Sequence, residues 1–348
     1  MKIKTLKFSL YLLALVTVFV SCEPDDGPTT SFQEEDRGEQ QEKDRDSLLN
    51  YLNTHYYNSA FFESGTNHKY TDIVITELED GEDVPAGNTL LINAVETHTT
   101  VFLDFDYEYY ILRINQGEGG SPKFPDAVRM RYEGSSLEDG DVFDSRATPT
   151  DISLVGNGFS TFGTIKGWQL VIPEFNAAMD FDIDNNGNVN YNNFGLGVMF
   201  LPSGLAYFSG ITTGSAYDNL IFKFELLQYE QADHDLDLIP SYLEDLDGDL
   251  DVNNDDTDED GFPNYIDFDD DNDDVSTLDE LFPKTYVVDT NEGDEEPVLA
   301  SNEFETERSD DSGIITIHTL TMIDTDGNGV PDYLDENVSI NYNEDDNE

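Results

Sequence analysis

The sequence predicts an α+β protein in which an antiparallel sheet wraps around one short helix and an irregular acidic tail follows. Three observations carry this. Short runs of alternating β-branched and aromatic residues fill positions 73–229; only one segment among them has helical periodicity; and the last third of the chain is too acidic to bury a core unaided. A length of 348 residues leaves room for one or two domains.

Charge excludes several function classes. The chain holds 16 Lys and Arg against 76 Asp and Glu, a net charge of −60. Nucleic-acid binding is excluded on this ground, because phosphate contacts need clustered cations. A single Cys excludes an internal disulfide. Residues 233–348 contain 40 acidic and 2 basic residues, −38 of the total −60. Such a segment needs bound cations before it can pack.

At the amino terminus, Lys2, Lys4 and Lys7 precede the largely apolar run Phe8–Val20, thirteen residues long. That length suits the h-region of an export signal and falls short of a helix spanning ~30 Å of hydrocarbon. Ser21-Cys22 followed by Glu-Pro-Asp-Asp resembles the lipobox of bacterial lipoprotein precursors, with Phe19 where that motif usually has Leu. The resemblance implies lipidation of Cys22 and a chain tethered in the cell envelope, at the periplasmic or surface face of the outer membrane. Acyl chains contribute ~0.8 kcal/mol per buried CH₂, enough in numbers to hold so acidic a protein on a bilayer. The other reading is a plain secretory signal with an incidental Cys. Residues 1–21 are then the signal and 22–38 a Gly/Pro/Thr/Glu-rich linker.

Residues 39–104 are expected to hold a helix and accessory strands. Glu39–Asn53 has helical character, with Leu48, Leu49 and Leu52 on one side, either packing on the next domain or pairing with a second chain. Strands are expected at Ile73–Leu78, Tyr107–Asn115, Ala127–Gly134, Gly197–Leu201 and Asn219–Tyr229. The helix is expected over Trp168–Met179, interrupted by Pro173.

Five segments stand out within this region: Val128–Gly134 (VRMRYEG), Asp139–Ser145 (DGDVFDS), Ile165–Trp168 (IKGW), Leu201–Tyr207 (LPSGLAY) and Leu220–Leu226 (LIFKFEL). Their order and residue types resemble the FKBP family of peptidyl-prolyl cis-trans isomerases over residues 105–230. The sequence's only Trp falls at the family's Trp position. The resemblance implies an FKBP-like sheet around one helix and a proline pocket with Trp168 as its floor and Tyr132, Phe143, Ile165 and Phe222 as walls. It further implies that Tyr207 donates to a substrate carbonyl and that Asp144 orients the polar rim, with proline-containing polypeptides as clients and no catalytic cofactor. Phe208 stands where the family has Gly, and the flap Ser209–Ala216 lacks the family's apolar, proline-containing character. Without the resemblance, the default reading of these aromatics is core. An insertion, Phe181–Gly195, reads as a hairpin turning at Asn186-Gly187, with a cation on its Asp and Asn side chains as the other reading. No G-x-S-x-G or H-E-x-x-H motif is present, and the five His are scattered.

The tail, residues 231–348, repeats itself. Asp233, Asp235, Asp237 and Glu244; Asp256, Asp258, Asp260 and Asp267; and Asp324, Asp326, Asn328 and Asp335 occupy positions 1, 3, 5 and 12 of three copies that also share Pro at position 8 and Tyr at position 10. Asp269, Asp271, Asp273 and Glu280 repeat the ligand spacing without the Pro and Tyr, and Asp245, Asp247 and Asp249 suggest a fifth loop. Ca²⁺ takes six to eight hard oxygens at ~2.3 to 2.6 Å, which such alternation supplies from one tight loop. The phased Pro and Tyr resemble thrombospondin type 3 calcium repeats more than EF-hands. A solvated, disordered acidic segment is the other reading, and it is the expectation for residues 291–313. Whether the protein self-associates is not legible in the sequence.

Overall fold

The structure, a computed structural model, describes residues 33–156 and 163–343. Cys22 and the export signal lie outside the described residues. The chain divides into compact units Met1–Asp36 and Arg37–Glu348, and the second is described here.

Its centre is a six-stranded antiparallel sheet. The strands are β4 (Glu96–Phe102), β5 (Phe105–Asn115), β6 (Ala127–Ser136), β7 (Val142–Ser153), β10 (Gly195–Leu201) and β11 (Leu220–Glu230), in the order β4-β5-β10-β11-β6-β7. The central strands are buried on both faces, which explains their nearly continuous apolar runs. Tyr109, Ile111, Met199 and Leu201 point to one face, while Tyr110, Leu112, Val198 and Phe200 point to the other.

The first face holds helix α2 (Lys166–Val171), which brings Trp168, Leu170 and Val171 onto the sheet. This helix is shorter than the expected 168–179. A 3₁₀ turn, Ile172–Glu174, carries Pro173, and Phe175 is already extended. Beyond it the amides of Asn176, Ala177 and Ala178 donate to the carbonyls of Gln116, Gly120 and Leu227, so cross-chain partners replace the helical ladder that Pro173 cannot continue.

The opposite face is covered by helix α1 (Arg37–Thr54). Gln40, Asp44, Leu48 and Leu52, four residues apart, form its buried stripe. Leu48 and Leu52 pack with Tyr110, Val198 and Phe200, each burial contributing about 1.5–3 kcal/mol. Of the two readings of this helix, the structure shows packing within the chain. Asp44 anchors it. Its Oδ2 accepts from the backbone amide of Ser203 at 2.9 Å and from Ser203 Oγ at 2.6 Å, and burial raises its pKa. A small sheet of β1 (His55–Tyr57), β2 (Ile75–Glu77) and β3 (Thr89–Leu90) follows the helix. The hairpin expected at 181–195 forms from β8 (Asp180–Ile183) and β9 (Val189–Asn192), with Gly187 at φ +84° in its turn.

The tail is more regular than its composition suggests. It contains a three-stranded antiparallel sheet of β12 (Phe282–Asp289), β13 (Glu303–Asp311) and β14 (Ile314–Thr321), with β14 in the middle. Residues 291–313, expected to lack structure, therefore carry a strand. Pairing with the apolar β14 supplies the ladder that the acidic β13 sequence does not advertise, and Ser312 and Gly313, at φ +56° and +90°, form the tight turn between them. The tail also touches the central domain. The Ala232 amide donates to Asp126 Oδ1 at 3.0 Å, Lys166 Nζ donates to the Leu250 carbonyl at 2.5 Å, and Phe124 is buried with Val252 and Tyr265.

Replacing Asp44 by Ala leaves the buried Ser203 hydroxyl without its acceptor and is expected to destabilise the protein by about 1–3 kcal/mol in urea unfolding.

Candidate functional site

The five segments singled out in the sequence converge on the α2 face of the sheet. An open cleft of about 250 Å³ is lined by Tyr132, Asp144, Ile152, Gly163, Thr164, Ile165, Trp168, Tyr207 and Phe222. The structure thus brings Tyr132, Asp144, Ile165, Trp168, Tyr207 and Phe222 together around one opening. Phe143 stands behind it, edge-on to Tyr207 at 6.2 Å and to Phe222 at 5.6 Å. Trp168 is only 6 % exposed, yet it borders the opening beside Tyr207 instead of being sealed in the core.

Local sequence explains this placement. Ile165 is extended and Lys166 starts the helix, so Trp168 occupies the first turn with its ring turned onto the sheet. There the indole lies 4.9 Å from the Phe222 ring, 5.4 Å from Tyr132 and 5.8 Å from Phe224. Offset and edge contacts of this kind contribute about 0.5–1.5 kcal/mol each beyond burial. Gly134 makes room for the group. A Cβ there would come within 2.3 Å of the Phe222 ring and 3.0 Å of Phe143.

The polar rim is a short relay. Tyr132 Oη donates to Asp144 Oδ2 at 2.7 Å, and Arg146 donates to Asp144 Oδ1 at 2.6 Å. Burial first, then the bond to Asp144, pushes the Tyr132 phenol up, so it stays protonated and a donor at neutral pH. Burial and the Asp144 charge do the same for Tyr207. The site is an aromatic floor with tyrosine hydroxyls at its edge.

Two departures in the sequence have structural answers. Phe208 sits at φ +47°, the left-handed region in which Gly is at ease. It is held there by the Arg37 guanidinium, 4.0 Å above its ring, and by Tyr217, edge-on at 5.0 Å. The flap after it is largely exposed, with Ile211 75 % accessible.

The acidic repeats share one loop geometry. In four loops the residue at position 9 donates its amide to the carbonyl just before position 1: Ser241 to Ala232, Asn264 to Asp255, Thr277 to Phe268 and Asp332 to Ile323. The same four side chains accept from the amide at position 2, namely His234, Thr257, Asp270 and Thr325. The Asp269–Glu280 stretch is therefore a full repeat despite lacking Pro and Tyr. Positions 4 and 6 are left-handed throughout: Leu236 and Leu238, Leu250, Glu259, Asn272 and Asp274 join the glycines there. Gly at position 6 is thus not required, although each non-Gly residue costs about 1–2 kcal/mol.

These closures gather carboxylates. Asp233, Asp235 and Asp237 have ligand atoms within 4.8 Å of one another, as do Asp256, Asp258 and Asp260, and Asp269, Asp271 and Asp273. In the last copy Asn328 Nδ2 donates to Asp335 Oδ2 at 2.6 Å, drawing positions 5 and 12 together, while Asp324 accepts from the amides of Gly327 and Gly329 and Asp326 from that of Asn328. Position 12 behaves unevenly. Glu244 groups with Asp237 and Asp270, whereas Asp267 and Glu280 stand outside the triads of their own loops. Asp255 and Asp270, which periodic spacing does not pick out because each sits beside a ligand position, join carboxylate groups as well: Asp255 lies with Asp245 and Asp247, while Asp249 does not. Burial and neighbouring carboxylates push Asp271 up to about 7 and Asp270 and Glu280 up to about 9.

Comparisons with known proteins give the following. The family described as BamM C-terminal matches residues 234–296, within the tail. No curated protein matches the sequence. Among solved structures, a peptidyl-prolyl cis-trans isomerase from Pseudomonas syringae pv. tomato is 14 % identical, covering 57 % of this chain and all of its own length, with a TM-score of 0.32. FkpA from Escherichia coli is 22 % identical over 39 % of this chain and 53 % of its own, with a TM-score of 0.28. The N-terminal domain of FKBP42 from Arabidopsis thaliana is 11 % identical over 39 % of this chain and 95 % of its own, also with a TM-score of 0.28. No helix among the described residues is long and apolar enough to cross a membrane.

Gly134→Ala is expected to displace the Phe222 ring, destabilise the protein by about 1–3 kcal/mol and shift Trp168 fluorescence, because the added methyl overpacks the pocket floor. In the metal-free protein the raised tail carboxyls bind protons more tightly folded than unfolded. Their contribution to stability is complete below the unfolded carboxyl pKa of about 4 and is lost as pH rises toward about 9, so the melting temperature in chelator should fall between pH 5 and 9.

Proposed function

We propose that residues 105–230 isomerise X-Pro peptide bonds in polypeptides of the cell envelope, with the acidic tail as a Ca²⁺-binding appendage. The observation that carries the first part is the placement of the indole under an open cleft, ringed by Tyr132, Ile165, Tyr207 and Phe222, with the Tyr132–Asp144 bond at its rim.

The chemistry asks for little more. An X-Pro bond resists rotation because amide resonance gives it double-bond character, with a barrier of ~18–20 kcal/mol. Twisting it breaks the resonance, returns a lone pair to nitrogen and weakens the carbonyl dipole. A dry aromatic surface disfavours the planar, strongly hydrated amide more than the twisted one, which is differential binding of the transition state. A phenol such as Tyr207 that holds the carbonyl fixes which half of the bond turns. An acceleration of about 10⁵ corresponds to ~7 kcal/mol, and no nucleophile or cofactor is involved.

The envelope location and the tether at Cys22 rest on the amino-terminal sequence. The calcium reading of the tail rests on the shared loop closure and on carboxyl groups brought within 4.8 Å of one another in successive repeats. The residues present fit that cation: hard oxygens, many of them buried without a hydrogen-bond partner.

A second reading, a binding module on the same fold without turnover, is favoured by the exposed flap, whose Ile211 covers nothing in the cleft. A turnover assay on prolyl peptides separates the two. The full-length protein in detergent should accelerate isomerisation, Trp168→Ala should lose activity by at least about tenfold, and Tyr132→Phe should lose less. Peptide binding without acceleration by the wild type would establish the module instead.

A further inference from the structure

The alignment of the tail places each cation inside its own loop. The packed structure brings together carboxylates from different loops. Asp237 and Glu244 belong to the first loop and Asp270 to the fourth, and ligand oxygens of all three lie within 4.8 Å of one another. All three are at least 98 % buried. Both oxygens of Glu244, both of Asp270 and Oδ2 of Asp237 have no hydrogen-bond partner, and neither does either oxygen of the neighbouring Asp235, itself 4 % exposed. These are unpartnered buried side chains aimed at a common point.

We propose that Asp237, Glu244 and Asp270 hold a single Ca²⁺ between the first and fourth loops, with Asp235 completing the oxygen shell. The inference rests on the calcium reading of the tail and deepens it: positions 3, 5 and 12 of the first loop are joined by Asp270, a ligand that this repeat does not encode.

Two arguments support the assignment. Ionised carboxylates cost several kcal/mol each to bury without a counter-charge, and a cluster of them costs more through mutual repulsion. A divalent cation removes both costs at once, whereas no Lys, Arg or backbone amide reaches these unpartnered oxygens. Size is the second. Oxygens bound to one Ca²⁺ at ~2.3–2.6 Å lie at most about 5 Å apart, and those of this group lie within 4.8 Å. Mg²⁺ fits less well, since it keeps several waters and a tight octahedron of about 2.0–2.1 Å.

The site also explains why distant repeats pack. Tyr333, from the last loop, is 3 % exposed and packs with Ile239 of the first loop and Leu281 after the fourth. Its phenol is pushed up by burial and then by the charges of Asp270, Glu244 and Asp237. A cation here ties the first and fourth loops together.

The test is a crossover in stability on the full-length protein in detergent, using Asp270→Asn and, as a second variant, Glu244→Gln. Each removes one negative charge from the cluster with little change of shape. In excess chelator, either variant should melt higher than the wild type, because an amide there needs neither the burial of a charge nor the proton uptake that avoids it. In millimolar Ca²⁺ the order should invert, and equilibrium dialysis should show about one Ca²⁺ fewer per chain or an affinity at least about tenfold weaker at one site. If the wild type binds several Ca²⁺ and Asp270→Asn binds them equally well with no inversion, whatever Glu244→Gln does, the shared site is wrong while the loop sites stand. If the wild type binds no Ca²⁺ at millimolar concentration, the calcium reading of the tail fails as a whole.

Discussion

The packing of Trp168 against the sheet is the contact on which the account of this protein depends. An indole so nearly buried would ordinarily be core, and Phe222, Phe224 and Tyr132 treat it as such. It differs from core in one respect: the chain leaves open the side bordered by Ile165, Tyr207 and Asp144. Three constraints keep it so. Gly134 lets Phe222 sit close enough to support the indole, Pro173 ends the helix before it could extend along the sheet, and Asp44 fixes Ser203 and with it the 3₁₀ turn leading to Tyr207. The apolar surface that a proline ring would cover is therefore held ready before any ligand arrives, which lowers the ordering cost of binding.

The tail reaches toward the same region. Lys166 begins the helix that carries Trp168, and its ammonium is held by the Leu250 carbonyl and lies 5.5 Å from the Phe102 ring. Burial lowers its pKa, while Asp251, Asp249 and Asp245 oppose that shift. A loop rich in carboxylates thus borders the helix that carries Trp168. The physical problem posed by the tail is the opposite of that posed by the cleft. The cleft exposes apolar surface, and the tail buries charge. Hydrogen bonds from loop amides stabilise some carboxylates, but none reaches Asp237 Oδ2 or either oxygen of Glu244 and Asp270, which are buried without a partner.

Much of the sheet was legible because its central strands are buried on both faces. Tyr107–Asn115, Gly197–Leu201 and Asn219–Tyr229 announce themselves through dense apolar and aromatic runs with few charges between, and the structure places β5, β10 and β11 there within a few residues. The edges did not. Strand β4 reads Glu-Thr-His-Thr-Thr-Val-Phe and β7 contains Pro149, so neither carries a strong strand pattern; both are edge strands, where polar residues and Pro are tolerated. Strand β13 is acidic along most of its length and owes its conformation to β14. Its one local signal was Ser312-Gly313 ahead of the apolar run Ile314–Leu320. For the site, residue types in order were enough to gather the cleft, because each is fixed by its own strand or turn. Spacing also found the loop triads. It could not find Asp270 as a partner of Glu244, since that contact arises from how loops stack and has no fixed separation in sequence.

The most direct test of the central claim is exchange spectroscopy by NMR on a prolyl peptide mixed with a catalytic amount of the full-length protein, with the Trp168 indole N–H observed in parallel. If the cleft turns X-Pro bonds, cis and trans proline signals should show exchange cross-peaks absent from the peptide alone, and the indole resonance should shift as peptide is added. Slow exchange identical to that of the free peptide, with an unmoved indole signal, would contradict the account.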